Sequence, residues 1–266
     1  MNTVALIADV GEGFGRYTIG DDTALLSIVS GANIACGFHA GDPRIMESTV
    51  STCAANRVSV GAHPGFPDIA GFGRRELKLS ALEVRTDVLY QLGALSAFTR
   101  ARGVAMAHVT VHGKLDNMAG TDPAYARAIV EAITAFDPGL IVAVQDGELE
   151  KAALAAGLPV GYTFMADRAY ENDGQPVSRD KPGAVLHDTA VIAERTIRAV
   201  LEGVVRSIDG VDIPMPCDAV LVHGDNPEAV ENARALRAQL ESAGVDIAPL
   251  EQVVAAKRPR QGPPGM

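Results

Sequence analysis

The sequence predicts an α/β fold, a closed barrel of seven or eight parallel strands with crossover helices. Three observations predict it. Short β-branched or apolar runs alternate with helical patterns to the end of the chain, the signature of parallel strands joined by helices. At 266 residues with no linker-like segment, the chain suits one barrel better than two domains. Five of the candidate strands also finish on a polar, chemistry-bearing residue on the same face.

The strand candidates are Val4–Val10, Ala32–Phe38, Val58–Ala62, Ala105–Val111, Leu140–Val144, Val160–Met165 and Ala219–Val222, with "VDIAPL" near residue 245 a further one. Helix starts lie between them. In "GDPRIM" Asp42 is placed as N-cap with Pro43 at the first helical position, and "TDPAYARAIVEAI" repeats this at Asp122 and Pro123. "SALE" at Ser80–Glu83 reads as a capping box, and Gly244 as the C-cap that closes the helical stretch "DNPEAVENARALRAQLESAG". The stretch Asn172–Gly183 reads as a long active-site loop and Gly210–Asp218 as a second irregular piece. The barrel is assigned residues 1–252, and the Pro-, Gly- and base-rich end, residues 253–266, a flexible tail.

Residues i, i+2 and i+4 of a strand share a face. "VALIADVGEG" puts Ala5, Ile7 and Asp9 together, with Glu12 just beyond; "NIACGFHAGDP" puts Asn33, Ala35, Gly37 and His39 together. "VSVGAHP" gives Ser59, Gly61 and His63; "AMAHVTVHG" gives Met106, His108, Thr110 and His112; "AVLVHGD" gives Leu221, His223 and Asp225. The opposite, apolar faces are expected to meet helices. The small and polar faces then point into the barrel and deliver Asp9, His39, His63, His112 and His223 to its C-terminal mouth, where barrel enzymes hold their chemistry. An open sheet gathers ligands only near its switch point. Any one histidine is as readily a loop-bonding residue. Four of the chain's six at equivalent strand ends argue for a shared site. His108 lies deeper and reads as a core residue, and His187 as a surface one.

Composition excludes several classes. A formal net charge of −10 argues against non-specific nucleic-acid binding. Cys36, Cys53 and Cys217 are odd in number and lack a CxxC spacing, which reads as reduced thiols in the cytoplasm. The start "MNTVALIADV" shows no signal peptide, and no apolar run reaches the roughly 18 residues a membrane span needs. No GxGxxG and no P-loop follows the first strand.

The residue types suggest acid–base work on a small anionic molecule. Asp9 and Glu12 form a carboxylate pair suited to base and proton donor. Imidazoles can stabilise an oxyanion, shuttle protons or hold a metal. A divalent ion would fall to Asp9, His39, His63 and His112, though tight ligand pairs are lacking and the question stays open. His108 and His112, roughly 13 Å apart along a strand, are too distant to share one. "GFGRREL" offers Arg74 and Arg75, of which at least one should face the site, and "ADRAYENDGQPVSRD" offers Asp167, Arg168 and Arg179; guanidinium groups bind carboxylates bidentately.

"NIACGFHAGDP", "GAHPGFPDIAGFGRR", "YQLGAL", "ADRAY" and "VHGD", in this order and spacing, resemble the LamB/YcsF family from about Asp9 to Gly244. The resemblance implies an irregular barrel of about seven strands, of the glycoside hydrolase/deacetylase type. It also implies ATP-dependent hydrolysis of the lactam 5-oxo-L-proline to L-glutamate together with B and C subunits. Family motif residues fall on Asp9, Glu12, Asn33, His39, Asp42, His63, Arg74, Arg75, His112, Asn117, Asp167, Arg168, Arg179, His223 and Asp225. The expected scheme makes Asp9 or Glu12 a base, has His39, His63 and His112 stabilise charge on the amide oxygen, and leaves substrate binding to Asn33, Asn117, Asp167, His223, Asp225 and the arginines. With no P-loop, ATP is expected at an unconventional site or on a partner. The chain departs from the family pattern: Gly11 stands for Asn, Thr110 for Lys, Val111 for Pro, Lys114 for Ala, Asp116 for Tyr, and Thr163 for an often-present Glu. Those departures keep three alternatives in view: action on another lactam, a stand-alone metal-dependent hydrolase or deacetylase, and a non-catalytic binding subunit. Self-association is left open.

Overall fold

A computed structural model describes residues 2–225 and 228–257. The elements follow in chain order: β1 (Asn2–Val10), α1 (Asp22–Leu26), β2 (Gly31–Ala35), α2 (Pro43–Asn56), β3 (Ser59–His63), α3 (Ala81–Ala101), β4 (Met106–Thr110), α4 (Gly113–Thr121), α5 (Pro123–Phe136), β5 (Ile141–Val144), α6 (Glu148–Ala155), β6 (Val160–Met165), α7 (Thr189–Glu202), β7 (Val204–Arg206), β8 (Asp212–Pro214), β9 (Ala219–Val222), α8 (Ala229–Ser242), β10 (Val245–Ile247) and α9 (Leu250–Lys257). Strands β1 to β6 pair in sequence, and β9 slots between β6 and β1, closing a parallel ring of seven. The short β10 adds beside the start of β1, with Asn2 opposite Val245.

The caps explain why the helices start where they do. Asp42 accepts from the Arg44 and Ile45 amides at 2.8 and 3.1 Å, with Pro43 next in line. Ser80 and Glu83 complete the reciprocal box, and Asp122 accepts from the Ala124 amide at 2.7 Å.

Alternation along the strands splits the apolar interior in two. Leu6, Ala8, Val10, Ile34, Val60, Ala62, Val109, Val142, Phe164, Val220 and Val222 face outward and pack under the helices. Ala5, Ile7, Ile141, Ala143, Ala219 and Leu221 face inward. The inward set is completed by Leu250, Val253 and Val254, so α9 plugs the N-terminal end of the barrel. The barrel therefore extends beyond residue 252. Of the expected tail, 253–257 is helical with Val253 and Val254 buried, and 258–266 lie outside the described residues.

Two expectations change. β2 ends at Ala35, not Phe38, because Gly37 turns the chain with φ +94° and its amide bonds back to Ala40; His39 therefore comes from a turn. The irregular piece at 210–218 contains β8, which pairs antiparallel with β7 as a small ribbon outside the barrel. No helix among the described residues is long and apolar enough to cross a membrane. The three cysteines are free thiols, and burial pushes each up to about 12.

The ring is narrow, and inward glycine makes room within it. A Cβ at Gly61 would sit 2.1 Å from Nε2 of His108, a side chain wholly buried in the barrel. Replacing Gly61 with alanine forces that ring or the strand to shift. The expected cost is about 1–3 kcal/mol, read as a lower denaturation midpoint with an unchanged slope.

Candidate active site

The strands deliver their polar residues to one mouth, and the hydrogen bonds there fix which atom of each faces which. Asn33 is wholly buried. Its Nδ2 donates to Asp9 Oδ1 at 2.8 Å, and its Oδ1 accepts from His108 Nε2 at 2.8 Å and Thr110 Oγ1 at 3.0 Å. This amide orients Asp9 and leaves little of itself for a substrate. His108 is the core residue expected, held by this one bond, while its Nδ1 has no partner. Burial, then the nearby His63, pull His108 down to about 4.

Above this layer sit Glu12, His39, His63 and His112, all buried. The His39 and His112 rings stack with centroids 3.7 Å apart and planes 5° from parallel; His63 meets each edge-on. Glu12 Oε1 lies 3.3 Å from His39 Nε2 and 3.6 Å from His112 Nδ1. Two main-chain carbonyls fix the tautomers. His63 Nδ1 lies 2.7 Å from the Thr110 oxygen, and His112 Nε2 lies 2.9 Å from the Phe72 oxygen. A carbonyl only accepts, so those nitrogens carry the protons. In neutral rings His63 Nε2 and His112 Nδ1 are then bare, and they face each other at 2.9 Å. These rings offer lone pairs, not protons, which changes the expected role of oxyanion donors.

Burial sets the charge of the cluster. It lowers His39 and His112 well below the ordinary imidazole range, helped by the neighbouring imidazoles. It raises Glu12 well above the carboxylate range, with Asp9 adding to the effect. Asp116, on α4, is pushed up to about 7 by burial and then by Asp9.

The rim is ionic instead. His223 Nδ1 donates to Asp167 at 2.8 and 3.0 Å. Burial alone would lower His223, but the Asp167 charge and hydrogen bond outweigh it and hold the ring above its usual range. Burial would likewise raise Asp167, yet His223 leaves it below the usual carboxylate value. Arg74 Nη2 bonds Asp225 at 2.6 Å, with its guanidinium 4.9 Å above the Phe72 ring. Arg179 is exposed, within electrostatic reach of Asp225, Asp167 and Asp9, and makes no hydrogen bond or ion pair among the described residues.

Not every predicted residue joins them. Arg75 turns away from the mouth to pair with the buried Asp68. Arg168 is buried and donates to the Ala184 and Val177 carbonyls, so it braces the long loop and does not reach a ligand. Asp42 caps α2 and accepts from the Gly15 amide at 2.9 Å. Asn117 is exposed on α4, and its side chain has no partner among the described residues. Thr110 does face inward, Lys114 pairs outside with Glu76 at 3.4 Å, and Thr163 is buried with its hydroxyl unpartnered. Sequence reading missed Phe72, whose ring meets His39 and His112 edge-on and whose carbonyl holds His112. The flanking glycines of "GFG" were the available signal: Phe72 and Gly73 take φ of 53° and 63°, and a Cβ at Gly73 would come 2.7 Å from His39 Cβ.

Comparison with known proteins gives the family. The LamB/YcsF family model matches residues 4–255. A Ralstonia nicotianae protein, named as a second A-type subunit of 5-oxoprolinase, is 48% identical over 250 residues, covering 94% of this chain and 96% of its own length. A Rhodopseudomonas palustris protein named as the A-type subunit of 5-oxoprolinase is 50% identical over 248 residues, covering 92% and 98%. The crystal structure of a lactam utilization protein from Thermus thermophilus superposes with a TM-score of 0.88 at 46% identity, covering 92% of this chain and 99% of that one. With a family match across nearly its whole length and relatives near half-identical end to end, this chain belongs to the LamB/YcsF family.

Proposed function

We propose that this chain is the A-type subunit of an ATP-dependent lactamase that opens 5-oxo-L-proline to L-glutamate together with B- and C-type subunits. The reading is carried by one arrangement: a buried cluster of imidazoles and carboxylates under a rim that bears a guanidinium, Arg179, unpaired among the described residues. Relatives named for the A-type component of 5-oxoprolinase support it, and their being named as subunits supports an assembly with other chains.

A planar amide is a poor electrophile. ATP, when bound, would phosphorylate the amide oxygen and release ADP, which opens the ring carbon to water; once the C–N bond breaks, the phosphoryl group stays on the new carboxyl and a second water releases it as phosphate. The sequence holds no P-loop, and we assign the nucleotide to a site shared with a partner chain, where Arg74 and Arg179 are the cations this chain offers to an anion. The other steps fall to the chain's own residues. Arg179 holds the substrate carboxylate. Asp9, oriented by Asn33, takes the proton of the attacking water. His223, held protonated by Asp167, donates to the ring nitrogen as the C–N bond breaks.

Three measurements test this. Mixed with its partner subunits, the chain should convert 5-oxo-L-proline to glutamate only with ATP; equal turnover by this chain alone without nucleotide would instead favour a stand-alone hydrolase. Arg179→Ala should raise KM for the lactam roughly 10–100-fold, the value of a charge-assisted hydrogen bond of about 1.5–3 kcal/mol, with kcat little changed. The His223 pKa is raised, so the donor is charged at low pH and turnover should fall as pH rises through that titration. Asp167→Asn removes the anion that holds the proton, so both the alkaline limb and the His223 NMR titration should move to lower pH; a limb that stays in place removes His223 from the scheme.

A further inference from the structure

We propose that Glu12, His39, His63 and His112 form a binding site for one divalent first-row transition ion of the Zn²⁺ class. The ion would sit in the same mouth as the lactam reading, but the inference needs no turnover. The starting point is a conflict in hydrogen bonding. Two backbone carbonyls claim the ring protons of His63 and His112, which leaves two bare nitrogens 2.9 Å apart in a buried site. Two lone pairs at that distance repel unless a cation lies between or beside them. Either a shared proton or a metal ion meets that demand.

Three features favour the metal. First, the donors lie near the spacing an ion imposes, and a turn of the His39 ring out of its parallel stack on His112 would aim both lone pairs at one ion. Bonds of roughly 2.0–2.1 Å in a tetrahedron place donors roughly 3.4 Å apart. Here His63 Nε2 to His112 Nδ1 is 2.9 Å, His39 Nε2 to Glu12 Oε1 is 3.3 Å, and His112 Nδ1 to Glu12 Oε1 is 3.6 Å. All four donors fall within 4.8 Å of one another. Second, metal-binding imidazoles characteristically donate their other N–H to a carbonyl or carboxylate, which fixes the ring and raises its basicity. His63 and His112 both do so, through Thr110 and Phe72. Third, the charges balance: Glu12 and the adjacent Asp9, 3.6 Å from His63, together offset a divalent ion.

The donor set differs from the one the sequence suggested. Asp9 is occupied by Asn33 and stands beside the cluster, while Glu12 takes its place. Three imidazoles and one carboxylate favour Zn²⁺, Co²⁺ or a neighbouring ion over Mg²⁺ or Ca²⁺, which prefer all-oxygen shells.

The test uses the full chain, stripped with a chelator and titrated with Co²⁺ and then Zn²⁺. The expected result is one equivalent bound, with the intense visible bands of four-coordinate cobalt, displaced by zinc and counted by native mass spectrometry. His63→Gln and His112→Gln, checked for folding by circular dichroism, should each weaken binding by more than the roughly 10–100-fold that losing a supporting hydrogen bond costs. His223→Gln should bind as the wild type does. No uptake, a pale six-coordinate spectrum, or unchanged affinity in the folded histidine variants would overturn the inference and leave the shared proton. Should those variants fail to fold, the wild type still decides: Zn²⁺ must shift the His63 and His112 ring resonances, and unmoved signals end the proposal. Metal binding without lactam turnover would remove the functional reading and leave this one intact, and the reverse result would do the opposite.

Discussion

One side-chain amide ties the site to the fold. Asn33 on β2 reaches Asp9 on β1 with its nitrogen and His108 and Thr110 on β4 with its oxygen. The arrangement has one workable orientation, because a carboxylate accepts and the Thr110 hydroxyl is free to donate. It spans three strands across a narrow ring, at the level between the apolar plug and the mouth. Parallel register does the rest. Asp9 lies opposite Asn33, Asn33 opposite Gly61, and Gly61 opposite His108, so a polar layer forms at one height. Such a layer is tolerable in a barrel only when its groups are paired, since an unpaired buried polar group costs about 1–3 kcal/mol.

Above that layer the molecule separates two electrostatic regimes a few ångströms apart. In the cluster, burial works against charge and leaves His39 and His112 depressed and Glu12 raised. At the rim, partners overcome burial: Asp167 holds His223 above its usual imidazole range, and Asp225 meets Arg74. Imidazoles thus shift in opposite directions according to neighbour and depth. This is the usual way one pocket supplies both acceptors and donors near neutral pH.

Much of this was legible from residue spacing. Period-two alternation separated the faces that later proved to be inner and outer, and it placed Asp9, His63, His112 and His223 at one end of the barrel. The capping residues at Asp42, Ser80 and Asp122 were local signals with local causes. What was not legible depends on contacts distant in sequence or on the backbone. Nothing in "GFGRR" says that Arg74 meets Asp225 while Arg75 turns to Asp68, since adjacent residues on a loop diverge according to the turn between them. The carbonyls of Thr110 and Phe72 decide which histidine nitrogen is bare, and carbonyls leave no mark in a sequence. Most of α9 was assigned to a tail because a Pro-, Gly- and base-rich end follows it; it belongs to the barrel because Leu250, Val253 and Val254 close the barrel floor.

The departures from the family pattern make physical sense where the structure gives them partners. Thr110 occupies an inward position next to Asn33, where a longer cationic side chain would stand against the bare nitrogens of the histidine cluster. A threonine instead donates a hydroxyl to Asn33 and leaves that region free of fixed positive charge. Lys114 does not restore the cation, because it pairs with Glu76 outside the mouth. Positive charge is therefore left to the rim, where Arg74 is already committed to Asp225 and Arg179 is not. Thr110 adds no charge beside the imidazoles, so the lone pairs of His63 and His112 stay available. The unpaired cation thus stands apart from the imidazole cluster, and either can be changed without unsettling the buried hydrogen bonds of Asn33.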